Sequence, residues 1–159
     1  MTHYAEELAK LKENLLAMAS HAETSVSRAM RALVERDDAV ARKVEDDDNI
    51  LDQFEIEIDD TAIHLLAKAP LATELRLITV AMKISHNLER VGDEATKIAR
   101  AAHAIHQRGL APIAHEEIVR VMAASAGKQL HDSLDAFARL DQKQARATIP
   151  LGLLSNRHR

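Results

Sequence analysis

Apolar residues recur every three or four positions through most of this chain. Leu8, Leu11, Leu15, Met18, Ala22, Val26, Ala29, Met30 and Leu33 form a first stripe. That period is the helical one, and it predicts a helix over about 2–36 with Thr2 as its cap and Glu6 and Glu7 in its early turns. Asp37 and Asp38 break the pattern, and either can cap the next helix. Val40, Val44, Leu51, Phe54, Ile58 and Leu65 then predict a second helix over about 38–68. Ala69-Pro70 ends it, because proline disfavours helix in the residue before it. Pro70 also suits the first turn of a third helix, over about 71–107, whose stripe is Leu75, Ile78, Met82, Ile84, Leu88, Val91, Ala95 and Ile98. Arg108-Gly109 is a stop signal. A fourth helix is predicted over about 113–140 and a fifth over about 141–148, and the segment 150–159 has no period and reads as an irregular tail.

The pattern repeats. At an offset of 104 residues, Met18-Ala19 matches Met122-Ala123, Ala22 matches Ala126, Ala32 matches Ala136, Asp37 matches Asp141 and Ala41-Arg42 matches Ala145-Arg146. The shared register across a helix, a break and a new helix points to a duplicated unit. The duplication stops early, since Gly152 and Asn156 stand where Asp48 and Asp52 would be matched. The chain thus divides into a three-helix bundle over 1–108, a partial second repeat over 109–149 and the tail. An amphipathic helix without its partners exposes its stripe, so the fourth helix is expected to pair with another chain or to fold back on the first bundle.

Composition narrows the class. Aromatics are 2% of the residues, glycine and proline are few, and the core must be aliphatic. This is an all-α composition. With no cysteine, disulfides, zinc–thiolate sites and iron–sulfur clusters are excluded. The start of the chain is charged and amphipathic, unlike a secretion signal, and no apolar run reaches membrane-spanning length. A cytoplasmic protein without direct membrane insertion is expected. A net charge of −4 argues against nucleic acid as a partner.

The acidic residues change the picture most. Asp48, Asp52 and Glu55 recur along one helix, and Glu89 and Asp93 along the next. With Leu51 at the centre of its stripe, Asp48, Asp52, Glu55 and Asp59 fall roughly 40–100° to one side. Carboxylates stacked this closely repel unless a cation or a basic partner neutralises them. Oxygen ligands on two neighbouring helices suit a hard metal or iron. Gly92, between Glu89 and Asp93, is costly in a helix and is explained by a close helix–helix approach or room for a ligand. His86 stands one turn before Glu89 and is a candidate to join the shell. His103, His106 and His115 form a weaker candidate for a transition metal, with surface histidines near a helix end as the plainer reading. Arg76 and Arg90 offer phosphate binding or, more simply, ion pairs with acids on adjacent helices.

These residues resemble a known family. Asp48-Asn49-Ile50-Leu51-Asp52 and Glu89-Arg90-Val91-Gly92-Asp93 fit the E(D)xxxD motif of the PhoU family, whose members are accessory regulators of phosphate transport. The flanking strings Ala69-Pro70-Leu71-Ala72-Thr73-Glu74-Leu75-Arg76 and Lys83-Ile84-Ser85-His86-Asn87-Leu88 fit as well. The resemblance implies a three-helix bundle of long antiparallel helices followed by a partial second bundle. It implies metal ligands at Asp48, Asp52, Glu89 and Asp93, with Glu55 in support, holding a multinuclear iron cluster or manganese, magnesium or calcium. It also implies negative regulation of phosphate uptake and phosphate-starvation signalling, by docking on the importer's ATPase subunit and on a membrane sensor histidine kinase. The protein is then no enzyme, and a homodimer or higher assembly is expected from its unfinished second repeat. Two rival readings are a carboxylate-bridged metalloenzyme, disfavoured because no Glu-x-x-His motif occurs, and a metal-free helical module that docks a basic partner through its acids.

Overall fold

The computed structural model describes residues 3–68, 71–109 and 116–155, and its helices follow the apolar stripes closely. They are α1 (His3–Glu35), α2 (Asp38–Asp46), α3 (Asp48–Leu66), α4 (Ala72–Gln107), α5 (Glu116–Arg139) and α6 (Gln142–Ser155). No strand occurs among the described residues. Thr2, Pro70, His115 and the expected start of the fourth helix near Ile113 lie outside them.

α1 and α4 run side by side, and α2 and α3 return between them. The register is visible in the two layers of the core. In one, Leu11, Leu15 and Met18 meet Ile58, Ala62 and Leu65 from the far end of α3 and Ile78, Ala81 and Leu88 from the near end of α4. In the other, Ala29 and Ala32 meet Ala41 and Val44 of α2 and Ala95, Ala99 and Ala102 of α4. The alanine layer allows the helix axes to approach closely. α5 folds back along α1, and Leu130, Leu134 and Phe137 pack against the first layer.

Three expectations change. The second helix, expected unbroken over 38–68, is interrupted at Asp47, which closes α2 and opens α3 with φ −87° and ψ 3°. The Asp47 carboxylate at the break is paired with Lys43 at 2.8 Å and with Arg28 of α1 at 3.5 Å. Second, α6 continues through Pro150 to Ser155 instead of ending near Thr148, so much of the expected irregular tail is helix. Proline removes one ladder hydrogen bond, which does not end the helix here. Third, Leu75 is exposed at 44%, while Ser85 and Thr96 are buried where only apolar residues were expected.

The two corners at the 104-residue offset have the same backbone geometry. Arg36 and Leu140, 104 positions apart, both hold a left-handed backbone, with φ of 56° and 55°. The next N–H reaches back to close the helix in each copy, Asp37 to the Ala32 carbonyl and Asp141 to the Ala136 carbonyl. The same aspartate then caps the following helix: Asp37 accepts from the N–H groups of Ala39 and Val40, and Asp141 from that of Gln144.

Candidate functional site: a carboxylate face on α3 and α4

Gly92 sets the distance between α3 and α4. A Cβ at this position would stand 2.2 Å from Leu51 Cδ1, inside any permitted contact. Of the two explanations the sequence offers for this glycine, the structure supplies the close helix–helix approach. Leu51 and Gly92 are also the residues next to Asp52 and Asp93, so the contact that brings the helices together brings their acids together.

Two groups result, joined at one residue. Ligand atoms of Asp52, Glu89 and Asp93 all lie within 4.8 Å of one another, and so do those of Glu55, His86 and Glu89. Glu89 belongs to both. Among the described residues, no lysine, arginine or histidine pairs with Asp52, Glu89 or Asp93 within 4.0 Å. Glu55 receives a hydrogen bond from His86 Nδ1 at 3.0 Å when that nitrogen carries the proton.

The electrostatics follow from this crowding. Partial burial raises the Asp52 carboxyl above its ordinary range, and the charges of Asp48, Asp93 and Glu55 raise it further. Glu89 is raised by burial and by Asp93, Glu55 and Asp52. Asp59, one turn further along α3, is raised by burial and by Glu55 and Asp60. Each shift means that ionising the face costs free energy in the absence of a counter-charge. A hard cation held by Asp52, Glu89 and Asp93 would offset that cost, and Glu89 belongs as well to the group formed with Glu55 and His86.

Asp48 stands apart from both groups. Thr96 Oγ1, buried on α4, donates to it at 2.7 Å, and Arg100 lies at 3.5 Å. Arg100 also reaches Glu45 at 3.7 Å. This arginine, rather than Arg76 or Arg90, pairs with acids of the neighbouring helix; those two make no ion pair among the described residues. Thr96 gave no signal in the sequence, because a threonine on an apolar face reads as core. His103 and His106 share a different partner, Asp38 at the start of α2, with Nδ1 distances of 3.6 and 2.6 Å. They clasp the end of α4 to α2.

Known proteins share this arrangement of helices. A model of the PhoU domain matches residues 15–102. The phosphate-specific transport system accessory protein PhoU homolog of Pseudomonas putida is 40% identical over 136 residues, covering 85% of this chain and 53% of that protein. The phosphate-specific transport system accessory protein PhoU of Escherichia coli K12 is 33% identical over 144 residues, covering 87% of this chain and 57% of that protein. The crystal structure of PhoU from Pseudomonas aeruginosa superposes with a TM-score of 0.87 at 36% identity, over 91% of this chain and 69% of that one. The chain therefore spans little more than half the length of the relatives it matches in sequence.

Proposed function

As the chain belongs to the PhoU family, we propose that it is a non-enzymatic negative regulator of inorganic phosphate uptake and phosphate-starvation signalling. It acts from the cytoplasm by docking its helical surface on the ATPase subunit of a phosphate importer and on a sensor histidine kinase. The observation that carries this reading is the pairing of the two E(D)xxxD segments across α3 and α4, in a chain that matches the family model over the same helices.

The carboxylate face is the part of this surface with chemistry of its own. Asp52, Glu89 and Asp93 hold iron or another hard cation, with Glu55 and His86 completing a second position and Asp48 steadying the entrance to α3. The donor set fits, being rich in anionic oxygen and short of internal counter-charge. The cation serves as a clip between α3 and α4 rather than as a reaction centre. That both helices are already fixed by the Leu51–Gly92 contact supports a structural or sensing role. No helix among the described residues is long and apolar enough to cross a membrane, which accords with docking from one side.

The test is complementation. Expressed in cells lacking their own regulator, the chain should lower a phosphate-starvation reporter in phosphate-rich medium. Unchanged reporter output with soluble, folded protein would refute the regulatory reading. Elemental analysis of untagged protein, beside an Asp52→Ala/Asp93→Ala variant, tests the cation separately. Stoichiometric metal lost in the variant is the expected result, and no metal in either protein would turn the face into a docking surface for basic partners.

A further inference from the structure

α4 carries a second periodic pattern that the core does not use. Arg76, Lys83, Arg90 and Lys97 stand seven residues apart, and all four are exposed. At 1.5 Å per residue the column runs about 32 Å along the helix. Beside it, also at steps of seven, stand Leu77, Ile84, Val91 and Ile98, each half-buried. Ile84, Val91 and Ile98 rest against the core and keep part of their surface in solvent. Val80, exposed at 42%, and Asn87 lie between the two columns. An apolar strip edged by a row of like charges at heptad spacing is the surface that one helix presents to another.

These charges are not answered within the chain. Arg76, Lys83 and Arg90 make no ion pair among the described residues, and only Lys97 is held, by Glu94 at 2.8 Å. A row of free cations stands out in a chain of net charge −4. The described helices of the second unit, α5 and α6, pack on α1 and on each other and leave this face of α4 clear. The row also has a shape. A seven-residue column drifts by about 20° per heptad on a straight helix, so this one winds about 60° around α4 over its three heptads. A second helix packed at about +20° follows such a drift. A flat anionic surface does not, and it would also meet the carboxylates, because Asp93 lies only about 60° around the helix from Arg90, with Asp52 and Glu89 beside it. The same negative neighbours disfavour nucleic acid.

We infer that this face of α4 seats an acidic helix of a partner protein, whose apolar residues lie on the Ile84–Val91 strip and whose Asp or Glu residues recur at heptad spacing opposite Arg76, Lys83 and Arg90. The inference deepens the docking reading above and rests on it, since it names the surface and the chemistry of the partner. The carboxylate face stays uncovered beside the contact.

The probe is a labelled synthetic helix of four heptads, with leucine and alanine along one seam and glutamate at heptad spacing beside it, followed by anisotropy at physiological salt. The chain should bind it at micromolar concentration. Arg76→Glu/Lys83→Glu, with its helix content checked by circular dichroism, should weaken binding by about tenfold or more. A peptide with lysine in place of glutamate should bind that variant better than it binds wild type. Lys143→Glu/Arg146→Glu makes the same charge change at exposed positions of α6 and should bind the acidic peptide as wild type does. In cells, the α4 variant should lose repression of the phosphate-starvation reporter and the α6 variant should keep it. No binding by wild type, or binding indifferent to the α4 reversal, would overturn the inference. Tighter binding to phosphatidylserine vesicles than to the peptide, lost in the α4 variant, would overturn it by assigning the column to a lipid surface. An α4 variant that represses as well as wild type would overturn it and leave the regulatory reading standing. A wild type that represses nothing would count against that reading instead, and the peptide measurement would still decide the inference.

Discussion

Replacing Gly92 by alanine sets two known effects against each other, and the structure decides the sign. In an open helix the substitution stabilises by about 1 kcal/mol, because alanine loses less backbone entropy. Here the new methyl would stand 2.2 Å from Leu51 Cδ1, where carbon atoms need roughly 3.5 Å. Leu51 is only 4% exposed, so it cannot swing into solvent without leaving the core. Either α3 and α4 separate or Leu51 leaves its rotamer, and overpacking of this kind costs about 1–3 kcal/mol. The expected net result is a destabilisation of about 1 kcal/mol, read as a lower urea midpoint at unchanged slope in chelator-treated protein. Separation of the helices would also pull Asp52 away from Asp93, so any bound cation should be held more weakly. A midpoint that rises would show that the approach at Gly92 is slack, and the link between helix spacing and the carboxylate face would fail with it.

Other consequences are as direct. Thr96→Val removes the hydroxyl that donates to Asp48 while keeping the buried volume, and should cost about 1–2 kcal/mol in the same unfolding assay. Ser85 is fully buried and its hydroxyl has no partner among the described residues, so Ser85→Ala should be neutral or stabilise by about 1 kcal/mol. The raised Glu89 and Asp52 carboxyls predict a pH effect in metal-free protein. Their native forms bind protons more readily than the unfolded chain, so stability falls as pH rises from their ordinary range through the raised native values. Glu89→Gln should therefore stabilise the apoprotein at neutral pH and lose that advantage in acid, as thermal unfolding across pH will show. Asp38 behaves oppositely. Its carboxyl is lowered chiefly by the hydrogen bond from His106, so its contribution is present above its unfolded value and is lost as pH falls through the lower native one; Asp38→Asn should lower the thermal midpoint at neutral pH and converge with wild type in acid.

The sequence announces its helices and its acids because both are periodic signals. Leu11, Leu15, Met18, Ile58, Leu65, Ile78 and Leu88 stand at helical spacing and all are buried. The E(D)xxxD segments are likewise spaced by one turn, and the structure brings Asp52, Glu89 and Asp93 together. What the period cannot convey is a contact made between elements. Asp47, at the break, is paired with Arg28, nineteen positions earlier and on another helix. The tether on Asp48 depends on Thr96 and Arg100, and the clasp on Asp38 depends on two histidines at the far end of α4. Alanine carries more of the core than the stripes alone imply. It is weakly hydrophobic in a pattern search, yet Ala29, Ala32, Ala41, Ala95, Ala99 and Ala102 form a whole core layer, because small size is what lets α1, α2 and α4 approach.

The two copies of the repeat separate what builds the corner from what builds the site. Arg36 and Leu140 share nothing chemically, yet both accept a left-handed backbone that L-residues resist. The aspartate after each is retained, and its cap and the returning N–H bond offset the strain. The corner is therefore fixed by hydrogen bonding after the helix end, and it survives in the second unit without any acidic face. The face needs something further: a returning helix with a glycine opposite Leu51, so that carboxylates on two backbones come within 4.8 Å. The described part of the second unit has the corner but no such helix, and Gly152 stands where the first aspartate of the motif would be matched. Among the described residues the paired carboxylate face thus belongs to one bundle.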